Sequence, residues 1–177
     1  MNSIRTTAAR IGVVALLAGG VGLAAAGNSE AAGPVCFGID ATAAAGAGFN
    51  VVITNGNFAG TAGRDWVVGS GAAQNLNGAG GNDVICGGGG NDRINGGTGN
   101  DRARGEAGND RVDGGTEADV VIGDDGTDTL NGDAGDDAIF GGNGNDVIDG
   151  GAGLDVAVGD AGVDACNLAT TEIPFNC

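Results

Sequence analysis

Histidine, lysine and tyrosine are missing altogether, and Ser70 is the one serine beyond residue 29. Without histidine or lysine, no Ser-His-Asp arrangement can be assembled, and no cysteine has a histidine or lysine to serve as its general base. Aromatic residues make up only 3 % of the chain, and much of the 41 % apolar content is alanine and valine, so a thick core of large side chains is excluded. Seven basic residues against 23 acidic ones leave a formal charge of −16, which disfavours nucleic acid as a partner. Ordering each residue costs roughly 1–2 kcal/mol of conformational entropy. A chain with so little to bury and so much like charge would ordinarily be read as disordered.

Against these absences stand 40 glycines and a strict period. Glycine occupies positions 60, 69, 78, 87, 96, 105, 114, 123, 132, 141, 150 and 159, a constant spacing of nine. In that frame the sixth position is aspartate in every repeat but one: Asp65, Asp83, Asp92, Asp101, Asp110, Asp119, Asp128, Asp137, Asp146, Asp155 and Asp164, with Gln74 the exception. The eighth position is apolar throughout, from Val67 and Leu76 to Ala157 and Cys166. The fourth is glycine except at Ala72 and Glu117. A solvated acidic surface threaded with flexible glycine would show no such phase relation.

The pattern G-x-x-G-x-D-x-U-x, with Gly87-Gly88-Gly89-Gly90-Asn91-Asp92 and Gly141-Gly142-Asn143-Gly144-Asn145-Asp146 among its fullest copies, resembles the haemolysin-type calcium-binding repeat, the RTX nonapeptide. The resemblance implies an all-β fold, a parallel β-roll or right-handed β-solenoid with 18 residues per coil. It also implies Ca²⁺ ions between successive turns, held by the eleven sixth-position aspartates and by main-chain carbonyls. A small exported bacterial form fits better than a toxin, because the chain carries an N-terminal export signal and cysteines.

The residues suit that fold. Glycines at the first and fourth positions are expected to adopt positive φ and let a six-residue segment curl around one point. The following x-U-x triplet reads as a short strand with U inward and positions seven and nine outward. Coils then stack at ~4.8 Å. Carboxylates so spaced repel by roughly 1 kcal/mol in water and several times more at an effective dielectric of ~20. A cation that accepts six to eight oxygens reverses the sign and couples binding to folding. Two columns of turns provide for roughly eight to ten ions, with Gln74 weakening one site and Glu117-Ala118 expected to distort the turn before Asp119.

Arg5 and Arg10 followed by the apolar run Ile11–Ala26 match a secretory signal, with cleavage compatible after Ala26 or Ala31. The run is short for a span and rich in glycine, so no membrane span is expected after cleavage. The chain thus divides into a signal at 1–26, an N-terminal segment and cap at 27–59, twelve nonapeptides at 60–167 and a C-terminal cap at 168–177. Four cysteines in an exported chain predict two disulfides. Cys166 and Cys177 lie close enough for the tail to fold over the open end. Cys36–Cys86 would draw the N-terminal segment along the roll. Other pairings cross much of a roll roughly 29 Å long unless a terminus doubles back.

Sorting positions seven and nine by sheet makes one outer face apolar, including Trp66, Val120, Ile122, Phe140, Val156 and Val158, and the other polar, with Asn75, Asn77, Arg93, Asn95 and Asp113 among its members. An apolar stripe of that kind marks a contact surface, here for residues 37–58 and, beyond them, a partner or second copy. The middle arginines, Arg93, Arg102, Arg104 and Arg111, either balance neighbouring carboxylates or meet an anionic saccharide. Carboxylate-pair catalysis is the one enzymatic option left, and nearly every acid already belongs to the periodic set. The expected function is a secreted, non-enzymatic, calcium-binding structural or surface protein. The alternative is a calcium-dependent binding module for polysaccharide or a cell surface, similar to those of alginate epimerases.

Overall fold

A computed structural model describes residues 35–168, 173–175 and 177; the expected export signal lies outside them. The chain winds into a parallel β-solenoid whose two sheets face each other across a narrow interior. One sheet has eight strands: Asn50–Ile53, Asp65–Val68, Val84–Gly89, Arg102–Ala107, Val120–Asp125, Ala138–Asn143, Val156–Ala161 and Ile173–Phe175. The other has seven: Phe58–Thr61, Asn75–Ala79, Arg93–Thr98, Arg111–Thr116, Thr129–Ala134, Val147–Asp149 and Ala165–Asn167. Neighbours within a sheet are 18 residues apart along most of the roll, as in Val84↔Arg102 and Arg93↔Arg111.

The eighth-position residues Val67 to Ala157 form one buried cluster, with Phe58, Cys166 and Leu168 packed against it. Phe58 pairs with Leu76 and so occupies the inward column one coil before the second nonapeptide. The strands run longer than an x-U-x triplet. Most continue through the third position of the next repeat, because the first-position glycine also points inward, as Val121 and Gly123 do.

That inward glycine is required for a different reason than positive φ. None of the first-position glycines has positive φ; the left-handed residues fall at positions two and four. From residue 78 onward every repeat has both, for example Gly88 and Gly90, Asp124 and Gly126, Asp133 and Gly135. At position one the constraint is space. A Cβ on Gly87 would sit 2.5 Å from Asp92 Oδ2 and 2.7 Å from the carbonyl of Gly105 in the next coil. Glu117 takes the left-handed conformation of the glycine it replaces (φ 72°), and the turn before Asp119 keeps the common pattern instead of being distorted.

Both ends are capped. A hairpin of Val35–Cys36 with Ile39–Asp40, the helix Ala41–Gly46 and the strand Asn50–Ile53 lie at the start. They bury Cys36, Ala44 and Val51 against Trp66, Val68, Val84 and Cys86, with Phe37, Ile39 and Phe49 packed around them. Cys36–Cys86 (Cα–Cα 5.9 Å) ties this segment to the outer side of the roll, and Cys166–Cys177 (5.8 Å) ties down the tail. Arg102 lies over the Phe37 ring at 4.8 Å and Arg64 over Phe49 at 4.0 Å, adding cation–π contacts to the same junction. Trp66, expected on a partner face, is therefore fully buried by the chain's own cap. Val120, Ile122, Phe140 and Val158 are half-buried and Val156 is 37 % exposed.

Two substitutions separate the roles of the glycines. Gly87→Ala forces the coils apart and is expected to lower stability in calcium by about 1–3 kcal/mol, the usual range for overpacking. Ala79→Gly relieves a left-handed alanine (φ 72°) and is expected to raise it slightly. Chemical denaturation of the two variants measures both signs.

Candidate metal centre

The sixth-position aspartates form two columns, one along each edge of the roll. In each, the backbone N–H of one residue donates to Oδ1 of the aspartate 18 residues on. One column runs through Asp65, Asp83, Asp101, Asp119, Asp137 and Asp155, at 2.7–2.8 Å. The other runs from Gln74 through Asp92, Asp110, Asp128 and Asp146 to Asp164, at 2.7–2.9 Å. The sequence arranges this by its period: one aspartate per turn, with glycine beneath it, brings each carboxylate over the backbone of the neighbouring coil.

The second oxygen is different. Among the described residues, none donates a hydrogen bond to the buried Oδ2 of Asp83, Asp92, Asp101, Asp110, Asp119, Asp128, Asp137, Asp146 or Asp155. A buried carboxylate oxygen without a donor costs several kcal/mol unless a charge compensates it. Among the described residues no three histidine, cysteine or acidic side chains gather at one point. The unsatisfied groups of the two columns are thus carboxylate oxygens. Hard divalent cations of the calcium type take such oxygen ligands.

The electrostatics agree. Burial pushes the carboxyls of Asp83 and Asp119 up to about 7, and those of Asp92, Asp101, Asp128 and Asp137 up to about 6, from an ordinary 3.8. The hydrogen bond from the preceding coil opposes that rise, and neighbouring carboxylates add to it. Asp110 and Asp146 are raised for the same leading cause.

The two N-terminal members of the columns stand apart. Asp65 Oδ2 accepts from the backbone N–H of Thr61 at 2.8 Å and from its hydroxyl at 3.0 Å, while Oδ1 accepts from Asn50 Nδ2 at 3.0 Å. Gln74 Oε1 accepts from Ser70 N–H at 2.6 Å, and Nε2 donates to the carbonyls of Gly56 (2.8 Å) and Thr54 (3.3 Å).

A third set of residues escaped the sequence reasoning. Fifth-position side chains cap the backbone of the next coil: Asn91 accepts from Asn109 N–H at 3.0 Å, Asn109 from Thr127 at 2.9 Å, Asp136 from Leu154 at 2.9 Å and Asn145 from Val163 at 2.9 Å. The recurring Asn-Asp dipeptide carried that signal. Two of the middle arginines form ion pairs within the chain. Arg104 pairs with Asp124, its Nη2 at 2.9 Å from Oδ1, and Arg111 pairs with Asp113 at 2.6 Å.

A family model described as the RTX calcium-binding nonapeptide repeat matches in four copies, over residues 59–94, 87–121, 122–157 and 131–166. No curated protein matches the chain.

Because the folded carboxyls hold protons more tightly than unfolded ones, the metal-free fold gains stability that is complete below the unfolded value near 4. That gain is lost as pH rises through the folded values of about 6 to about 7. In EDTA, with disulfides intact, acidification from about pH 8 to about pH 5 should therefore increase sheet content by circular dichroism. A flat or falling signal would mean that other groups oppose folding.

Proposed function

Given that the chain belongs to the RTX calcium-binding nonapeptide repeat family, whose ion is calcium, we propose that it is an exported, non-catalytic scaffold that calcium folds. The residues that hold the ions are the aspartates from Asp83 to Asp164, together with main-chain carbonyls of the turns between them. The nine buried Oδ2 atoms that accept no hydrogen bond carry this reading. Bound calcium supplies positive charge between stacked carboxylates and so turns the main opposing force into the main attraction.

Location follows from the same chemistry. Calcium is submicromolar in cytosol and millimolar outside, so such a chain stays unfolded until export and folds after it. Two disulfides fit an oxidising compartment. Among the described residues no helix is long and apolar enough to cross a membrane. Three of the four arginines that would favour saccharide binding are occupied: Arg104 by Asp124, Arg111 by Asp113 and Arg102 by the Phe37 ring. A structural role is accordingly preferred to a saccharide-binding one.

Calcium titration of the oxidised protein, followed by far-ultraviolet circular dichroism, tests the proposal. Sheet signal should be largely missing in EDTA and appear cooperatively with calcium. Asp101→Asn should raise the calcium needed by roughly tenfold, or about 1.4 kcal/mol. Full sheet content in excess EDTA would overturn it.

A further inference from the structure

We infer that the first coil is a calcium-independent nucleus, closed by Asp65 and Gln74 acting as protein-satisfied plugs, and that calcium-bound turns begin only at Asp83 and Asp92. This deepens the calcium-dependent reading above and rests on it.

Hydrogen bonding is the first support. Asp65 is fully buried, yet both its oxygens are met by donors from Asn50 and Thr61. In the parallel column Gln74, 3 % exposed, presents an amide where every later repeat presents a carboxylate. Its Nε2 donates to two main-chain carbonyls, those of Thr54 and Gly56, a bonding role that a cation would otherwise fill. Each plug is thus neutralised or satisfied by the protein, whereas the next nine aspartates each keep one oxygen without a donor.

Backbone conformation is the second and independent support. The ten turns from residue 78 onward all have positive φ at their second and fourth positions, from Ala79 and Gly81 to Asp160 and Gly162. The two turns before them have it at neither: Thr61, Gly63, Ser70 and Ala72 adopt no positive φ. These turns therefore present their carbonyls differently. They carry hydroxyl residues at position two, Thr61 and Ser70, and these donate to Asp65 and Gln74. Side-chain donor and altered turn occur together, in these two repeats and in none of the later ones.

Packing supplies what the missing ions would have contributed. The plugged coil lies under the N-terminal cap, where Trp66 is fully buried with Cys36, Ala44, Val51, Val68, Val84 and Cys86. The Cys36–Cys86 bridge closes the segment covalently. This coil offers each later coil a paired strand edge, so calcium-dependent folding starts from a template instead of paying nucleation anew, and proceeds toward the C-terminus.

Trp66 is the one tryptophan and reports the nucleus alone. In the oxidised full chain in EDTA, its emission should stay blue-shifted and shielded from acrylamide while the far-ultraviolet sheet signal falls. Reduction of the disulfides should then expose it. A Trp66 red shift that follows the same calcium midpoint as the sheet signal would overturn the nucleus. Retention of all sheet in EDTA is a separate result, which overturns the calcium-dependent reading and this division with it. Native mass spectrometry in saturating calcium gives a second readout: Asp65→Asn should bind as many ions as the parent, and Asp101→Asn fewer. Loss of an ion from Asp65→Asn would overturn the plug.

Discussion

Like charges stacked one per coil, out of reach of water, are the constraint on which the rest of this structure depends. The aspartates of each column are separated by a single strand spacing, and in nine of them one oxygen is buried without a donor. The hydrophobic interior is one eighth-position side chain per turn, lined on its other inward positions by glycine, and cannot outweigh that repulsion. In the function proposed above, calcium bridging resolves the conflict and makes the assembled state conditional on the ion instead of on the core.

Glycine serves this arrangement in two physically separate ways. At the first position it lets adjacent coils approach until an added Cβ would collide with a carbonyl and an aspartate oxygen. From residue 78 onward, at the fourth position and at the second where glycine is present, it accommodates left-handed backbone. Aspartate and glutamate replace glycine at several second positions, including Glu106, Asp124, Asp133 and Asp160, at some conformational cost. No residue replaces it at the first, where the obstacle is a neighbouring backbone that cannot move aside.

A solenoid must also end, and each end here is handled with ordinary protein interactions. At the start, a helix, a hairpin and an extra strand cover apolar residues that point out of the first sheet, including Trp66 and Val84. At the finish, a strand from Ile173–Phe175 joins the edge and a disulfide holds the tail. These caps blunt the open strand edges that would otherwise invite association.

The nine-residue period determined by itself the coil, the inward column from Val67 to Ala157, the two ranks of aspartate and the kind of ion, because a register read along the chain becomes a stack in space. Cysteine positions narrowed the disulfides for a similar reason, since an elongated roll keeps distant repeats apart. Only the tertiary structure decided that Trp66 is covered, that Phe58 extends the inward column, that positive φ falls on position two instead of one, and that Asp65 and Gln74 are already satisfied. The cover over Trp66, the place of Phe58 and part of the bonding of Asp65 and Gln74 depend on residues 36–59, which lie outside the repeat, and a period carries no information about what non-periodic chain folds back onto it.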